Sequence, residues 1–166
     1  EHALLFGTVL SIVSVVGLYY FSNLTSAVLL SITIAFYVFV YTIWLKRKTP
    51  QNIVIGGASG ALPPVIGWTI ATNSLTLEPI TFFLIIFFWT PSHFWALSLY
   101  KADDYQKAKI PMLPITNGIE ETKKNIFVYS LIMLPIVILP YYIGFVGETF
   151  LIVSLLLTFY YNYVCY

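Results

Sequence analysis

The chain has 166 residues, of which 59% are hydrophobic and 9% charged, and its mean hydropathy is +0.86. Soluble domains carry about 25% charged residues, so eight Lys or Arg and seven Asp or Glu cannot coat a water-exposed globule, and lipid must be the solvent for most of the surface. The net charge of +1 offers no basic surface to nucleic acid, and one cysteine, Cys165, excludes an internal disulfide framework.

A membrane-crossing helix needs about 20 mostly apolar residues. Six runs qualify: Ala3–Phe21, Thr25–Leu45, Ile53–Thr72, Ile80–Tyr100, Ile126–Ile143 and Phe150–Tyr166. Backbone groups in lipid must be satisfied within the segment, and none of the runs alternates as a barrel strand does. The fold class is therefore all-α, a polytopic transmembrane helix bundle read as one domain over residues 1–166. The first run follows Glu1-His2 with no basic segment before it, which argues against a signal peptide and for a processed or truncated start.

The connections sort by charge. Ser22–Leu24, Asn73–Pro79 and Gly144–Thr149 contain no Lys or Arg, whereas Lys46–Asn52 and Lys101–Asn125 contain all eight. The positive-inside rule sets those two, and both chain ends, on the cytoplasmic side. Lys101–Asn125 also holds four of the seven acidic residues, and its Ile110-Pro111-Met112-Leu113-Pro114 is too apolar for a disordered linker, so it is expected to pack over the bundle mouth as a lid. In the third run, Gly56, Gly60 and Gly67 recur at helical spacing, which favours close packing against a neighbouring helix, with a cavity-lining role as the alternative. Pro63-Pro64 removes two backbone donors in mid-span and predicts a kink there. Pro135 and Pro140 in the fifth run read the same way.

The most distinctive local pattern is Phe88-Trp89-Thr90-Pro91-Ser92-His93-Phe94-Trp95-Ala96-Leu97, running on to Tyr100-Lys101-Ala102-Asp103-Asp104-Tyr105. An imidazole well inside a span either satisfies a neighbouring helix or marks a functional site. On an unbroken helix Trp89, His93, Leu97, Tyr100 and Asp104 would form one stripe, with His93 about 16 Å from Asp104. Asp103-Asp104, flanked by Lys101, Lys107 and Lys109, read either as a solvated helix end or as a Mg²⁺ site. Mg²⁺ is commonly held by one or two carboxylates together with substrate phosphates. Lys46-Arg47-Lys48 on the same face would balance phosphate charge, although alone it is a plain topology signal.

These motifs, with Ile110-Pro111-Met112-Leu113-Pro114, Lys46-Arg47-Lys48-Thr49-Pro50-Gln51-Asn52, Ile55-Gly56-Gly57-Ala58 and Pro63-Pro64-Val65-Ile66-Gly67-Trp68, closely resemble the protohaem IX farnesyltransferase (haem O synthase) family of intramembrane, UbiA-type prenyltransferases. The resemblance implies nine helices, two aspartate-rich loops on one side, and Mg²⁺ bridging a diphosphate to both. It implies transfer of farnesyl from farnesyl diphosphate to a vinyl group of haem B. On that footing Asp103 and Asp104 are the metal ligands, and Lys101 and Tyr100 join them as catalytic candidates. His93 matches a histidine associated with the haem, and Trp89, Trp95, Lys46, Arg47, Lys48 and Asn52 are substrate-binding candidates. Tyr100 stands where the superfamily often places a further aspartate, and no Asp precedes Asp103. The first motif is thus missing, and six spans against nine suggest an inactive piece that begins at the third helix. The resemblance also implies haem A synthase or oxidase assembly proteins as contacts, and a bacterial inner membrane, with the mitochondrial inner membrane as alternative. The rival readings are an intramembrane prenyltransferase acting on 4-hydroxybenzoate or a quinone precursor, and a transporter bundle. A transporter is expected to carry functional charge at the midplane, whereas here the charges collect at one face.

Overall fold

A computed structural model describes residues 2–166, and among them there is helix but no strand. The helices are α1 His2–Phe21, α2 Leu24–Ala35 with a π-helical continuation Phe36–Leu45, α3 Asn52–Ala61, α4 Pro63–Thr72, α5 Glu78–Tyr100, α6 Ala102–Lys107, α7 Leu113–Thr116, α8 Ile119–Tyr142 and α9 Glu148–Cys165. They make six stretches long and apolar enough to cross a membrane, with α2 and its π segment forming one and α3 with α4 another. The protein is an integral, multi-pass membrane protein.

Local chemistry sets the boundaries. Asn23 caps α2, its side chain accepting from the Ser26 N–H at 2.8 Å. Asn73, at φ 54°, closes α4 in the left-handed conformation that Asn tolerates. Pro63 opens α4 at the break after Ala61, so the expected interruption at Pro63-Pro64 is present. Pro135 and Pro140 are instead carried within a continuous α8.

Each span packs chiefly on its neighbour in the chain. Helix α1 lies on α2, α2 on α4, and the π segment on α3. Helices α3 and α4 lie on α5, α5 on α8, and α8 on α9. Lipid tails are as apolar as leucine, so close packing and interhelical hydrogen bonds hold such a row. At one end Asn23 Nδ2 donates to the Thr69 carbonyl at 2.7 Å, and Ser26 and Thr69 hydroxyls meet at 2.9 Å. The Phe145 ring sits edge-on to Trp68 and Phe82 at that same end. At the other end Trp95, Leu113 and Ile126 form a buried cluster, with Val54, Tyr129 and Cys165 packed against it. Both Lys- and Arg-bearing connections fall at this second end. Between the ends, Ser92 and Tyr161 hydroxyls join α5 to α9 at 2.7 Å, and Ser130 Oγ donates to Asn162 Oδ1 at 3.0 Å across α8 and α9.

Three features depart from the sequence reading. The stretch expected as one long loop, Lys101–Asn125, is mostly helical, taken up by α6, α7 and the first turns of α8. Its Met112 and Leu113 are buried, and α7 packs on both α5 and α8, so the segment is anchored in the bundle. Helix α5 stops at Tyr100, because Lys101 turns out of helical geometry at φ −112° and ψ 21° before α6 begins. The stripe from Trp89 to Tyr100 therefore does not run on to Asp104 in one helical register. Finally, Phe36–Leu45 winds as a π-helix, in which the Lys46 N–H donates to the Tyr41 carbonyl five residues back at 2.8 Å.

Candidate active site

Residues four apart on a helix lie about 40° apart around its axis, and residues two apart about 200°. That arithmetic places the α5 motif. Trp89 and His93 stack with ring centroids 4.3 Å apart and planes inclined by 16°, and both are exposed on the surface of the row. Leu97 and Tyr100 continue the same exposed face, Tyr100 to 88%. Trp95, two residues beyond His93, points the opposite way. It is fully buried, edge-on to Tyr129 at 5.3 Å, in the cluster that locks α5 to α7 and α8. The structure thus separates Trp95, expected among the substrate contacts, from Trp89 and His93, because the helix turns it into the core.

Two cavities flank α5. The first, of about 690 Å³, lies between the π segment, α3 and α5. Its walls include Tyr37 and Tyr41, Gly56, Gly57 and Gly60, and Trp89. A Cβ at Gly57 would stand 3.2 Å from Thr90 Cγ2, tighter than ordinary contact, and a Cβ at Gly56 would collide with the Tyr41 ring. Gly60 faces open space and lines the cavity. The third span therefore combines both roles, with Gly56 and Gly57 close against Tyr41 and Thr90 and all three glycines bordering the cavity. The second cavity, of about 730 Å³, lies between α5, α8 and α9 and is lined by His93 and Tyr100, by Lys123 and Lys124, and by Tyr161 and Cys165. The Trp89–His93 stack stands between the two, Trp89 lining one and His93 the other.

The remaining candidates gather at the basic end without lining either cavity. Asp103 and Asp104 are exposed in the first turn of α6, and Lys101 Nζ lies 3.8 Å from Asp104 Oδ2. Lys46 sits over the Tyr41 ring at 5.7 Å from its centroid, which ties the basic loop to the wall of the first cavity. Arg47 and Lys48 are exposed. Asn52 is fully buried. Its Nδ2 donates to the Thr49 carbonyl at 2.6 Å, while its Oδ1 is buried without a partner. Among the described residues no group of three or more His, Cys, Asp or Glu is gathered to hold a metal.

Several cavity residues escaped the sequence reading. Tyr37 and Tyr41 stood in plain helical spacing, and their rings lie 5.2 Å apart, but nothing in Phe36–Leu45 announced π winding. Lys123 and Lys124 were legible only as part of a topology signal.

The chain matches known proteins along its whole length. It is 79% identical to a protoheme IX farnesyltransferase of Pelagibacter ubique (strain HTCC1062) over all 166 residues, which is 55% of that protein. It is 59% identical over 138 residues to a protoheme IX farnesyltransferase of Ehrlichia ruminantium (strain Gardel), covering 83% of this chain and 47% of that one. With a protoheme IX farnesyltransferase of Parvibaculum lavamentivorans it shares 52% over 151 residues, 91% of this chain and 48% of that one. The chain thus spans about half the length of the curated relatives it matches. No solved structure matches it. The UbiA prenyltransferase family matches residues 1–166, and the chain belongs to that family.

Proposed function

We propose that the protein carrying this sequence transfers the farnesyl group of farnesyl diphosphate to a vinyl group of protohaem IX, giving haem O and diphosphate. The observation that carries this reading is the aromatic–imidazole stack of Trp89 and His93 between two cavities, in a bundle whose Lys, Arg and Asp103-Asp104 pair collect at one end. The names of the relatives support it.

In the proposed reaction the C1–O bond of farnesyl diphosphate breaks and its electron pair leaves with diphosphate. The terminal vinyl carbon supplies its π electrons to C1, forming the new carbon–carbon bond. Water adds to the cation left on the carbon next to the porphyrin ring and loses a proton, completing the hydroxyethylfarnesyl group. The chain's residues hold and shield these groups. Lys46, Arg47, Lys48 and Lys101 supply positive charge for the diphosphate, and a preorganised charge facing a leaving group lowers the barrier to its departure. Trp89 and the Tyr37–Tyr41 pair present aromatic faces to an allylic cation. The apolar walls of the first cavity exclude water until the bond to the vinyl carbon is made.

Asp103 and Asp104 fit Mg²⁺ in donor chemistry. Both are exposed carboxylates, the hard oxygen ligands this ion prefers, and their exposure leaves room for the waters and phosphate oxygens that complete its shell. Bound there, Mg²⁺ would neutralise charge on the departing diphosphate. The proposal extends to the setting, a bacterial inner membrane with the basic loops cytoplasmic, and to haem A synthase or oxidase assembly proteins as recipients of the product.

Incubating the purified full-length protein in lipid with haem B, farnesyl diphosphate and Mg²⁺ is expected to yield haem O, read by mass. Prenylation of 4-hydroxybenzoate with no haem O would overturn the reading.

A further inference from the structure

We propose that Lys123 and Lys124 are the site for the two propionate carboxylates of the porphyrin. This rests on the haem reading given above and adds to it a binding site on α8.

The second cavity has the polarity that an amphipathic dianion requires. Among the described residues its charged side chains come from α8, where Glu120, Lys123 and Lys124 sit in the first two turns of a helix that starts at the basic end of the row. Tyr100, at the end of α5, lies at that same rim. His93 is seven residues back along α5, about 10 Å farther into the span. The cavity thus presents ammonium groups at the basic end of the row and an imidazole farther along α5, with Ala96, Leu99, Ile126 and Phe127 as apolar wall. Long lysine stems let the charged heads stay at the interface while the methylenes cover apolar surface.

Protohaem matches this layout. Its carboxylates lie along one edge, its vinyl groups along the opposite edge, and its metal accepts an imidazole at the centre. With the carboxylates on α8, the vinyl edge is turned away from α8 and toward α5, which forms the facing wall of the cavity. A reversed macrocycle would put the carboxylates against that wall, where an unpaired charge is costly. The two lysines are unequal. Lys123 is already engaged by Glu120 at 3.1 Å, whereas Lys124 makes no ion pair among the described residues. Lys124 is therefore the stronger contact.

The test uses the full-length protein in lipid nanodiscs, titrated with haem B and with its dimethyl ester and read by the Soret band. Farnesyl diphosphate binding is measured in parallel. The wild type is expected to prefer the diacid. Lys124→Ala is expected to weaken diacid binding roughly twofold to fivefold, the order of one exposed charge pair. Lys123→Ala is expected to cost less, and both should leave ester and farnesyl diphosphate binding unchanged. Lys123→Arg/Lys124→Arg should restore the preference for the diacid. Undiminished discrimination in the double alanine variant would overturn the proposal while leaving the haem reading intact. Parallel loss of all three ligands that arginine fails to restore would also overturn it, since lysine would then serve the fold. A wild type that binds neither porphyrin would overturn both readings.

Discussion

His93 and Asp104 make separable demands on one site. His93 stacks on Trp89 and lines the second cavity, while Asp104 is exposed on α6, beyond the helical break at Lys101. His93→Ala is therefore expected to lower haem B affinity and leave farnesyl diphosphate affinity within about twofold, a factor worth under half a kcal/mol. Paired titrations of the full-length variant check this, and equal loss of both ligands would return His93 to a packing role. Asp104→Asn should behave in the opposite sense. An amide is a poor ligand for a hard cation, so farnesyl transfer should fall to background while haem binding and the helical circular dichroism persist. Tyr161→Phe deletes the 2.7 Å hydroxyl contact with Ser92 that ties α9 to α5. Hydrogen bonds between membrane helices are worth about 0.6 kcal/mol on average. A loss of that order is expected in reversible unfolding from detergent, and double-mutant cycles with Ser92→Ala should show the two effects to be one interaction.

At the scale of the helices, what was legible followed from length, charge and proline. Six spans, the interruption at Pro63-Pro64 and the face shared by Trp89, His93, Leu97 and Tyr100 follow from periods of 3.6 residues and from one missing donor at each proline. The break at Lys101 and the π winding of Phe36–Leu45 were not legible, because each is a choice of tertiary packing. The chain turns at Lys101 so that Met112 and Leu113 can bury against α5 and α8. The π segment brings Tyr41 against Gly56, and neither residue alone specifies that winding. The same logic separates the glycines of α3. Gly57→Val would drive a branched side chain into Thr90, and overpacking of that kind costs about 1–3 kcal/mol. Gly60→Val meets open space, so the bundle should keep its stability, while the methyls enter the first cavity and weaken prenyl diphosphate binding. Thermal unfolding in detergent, set beside farnesyl diphosphate titration, should show a lower transition temperature for Gly57→Val and a lower affinity at unchanged transition temperature for Gly60→Val.

The whole molecule is organised by an asymmetry between its two ends. At one, turns without Lys or Arg are closed by Asn23, Thr69 and the Trp68–Phe145–Phe82 rings. At the other lie all eight Lys and Arg, the Asp103-Asp104 pair and the mouth of the second cavity. Lys and Arg in short loops resist transfer across a membrane during insertion, so on the proposed reading the end that would hold the diphosphate is also the end expected in the cytoplasm. On that reading the same charges would direct insertion and then meet an anionic substrate delivered from the cytoplasm. It also makes sidedness a test of the site. In a Cys165→Ser background, single cysteines at Asn73 and Glu148 should react with a membrane-impermeant maleimide added to intact cells. Cysteines at Lys48 and Lys107 should react only after the membrane is opened. Both members of each pair are exposed in the structure, so a failure to label reports the membrane and not burial. Labelling of Lys48→Cys and Lys107→Cys from outside would invert the bundle. It would set Asp103 and Asp104 on the face away from cytoplasmic prenyl diphosphates, and the proposed reaction would then lack access to its donor.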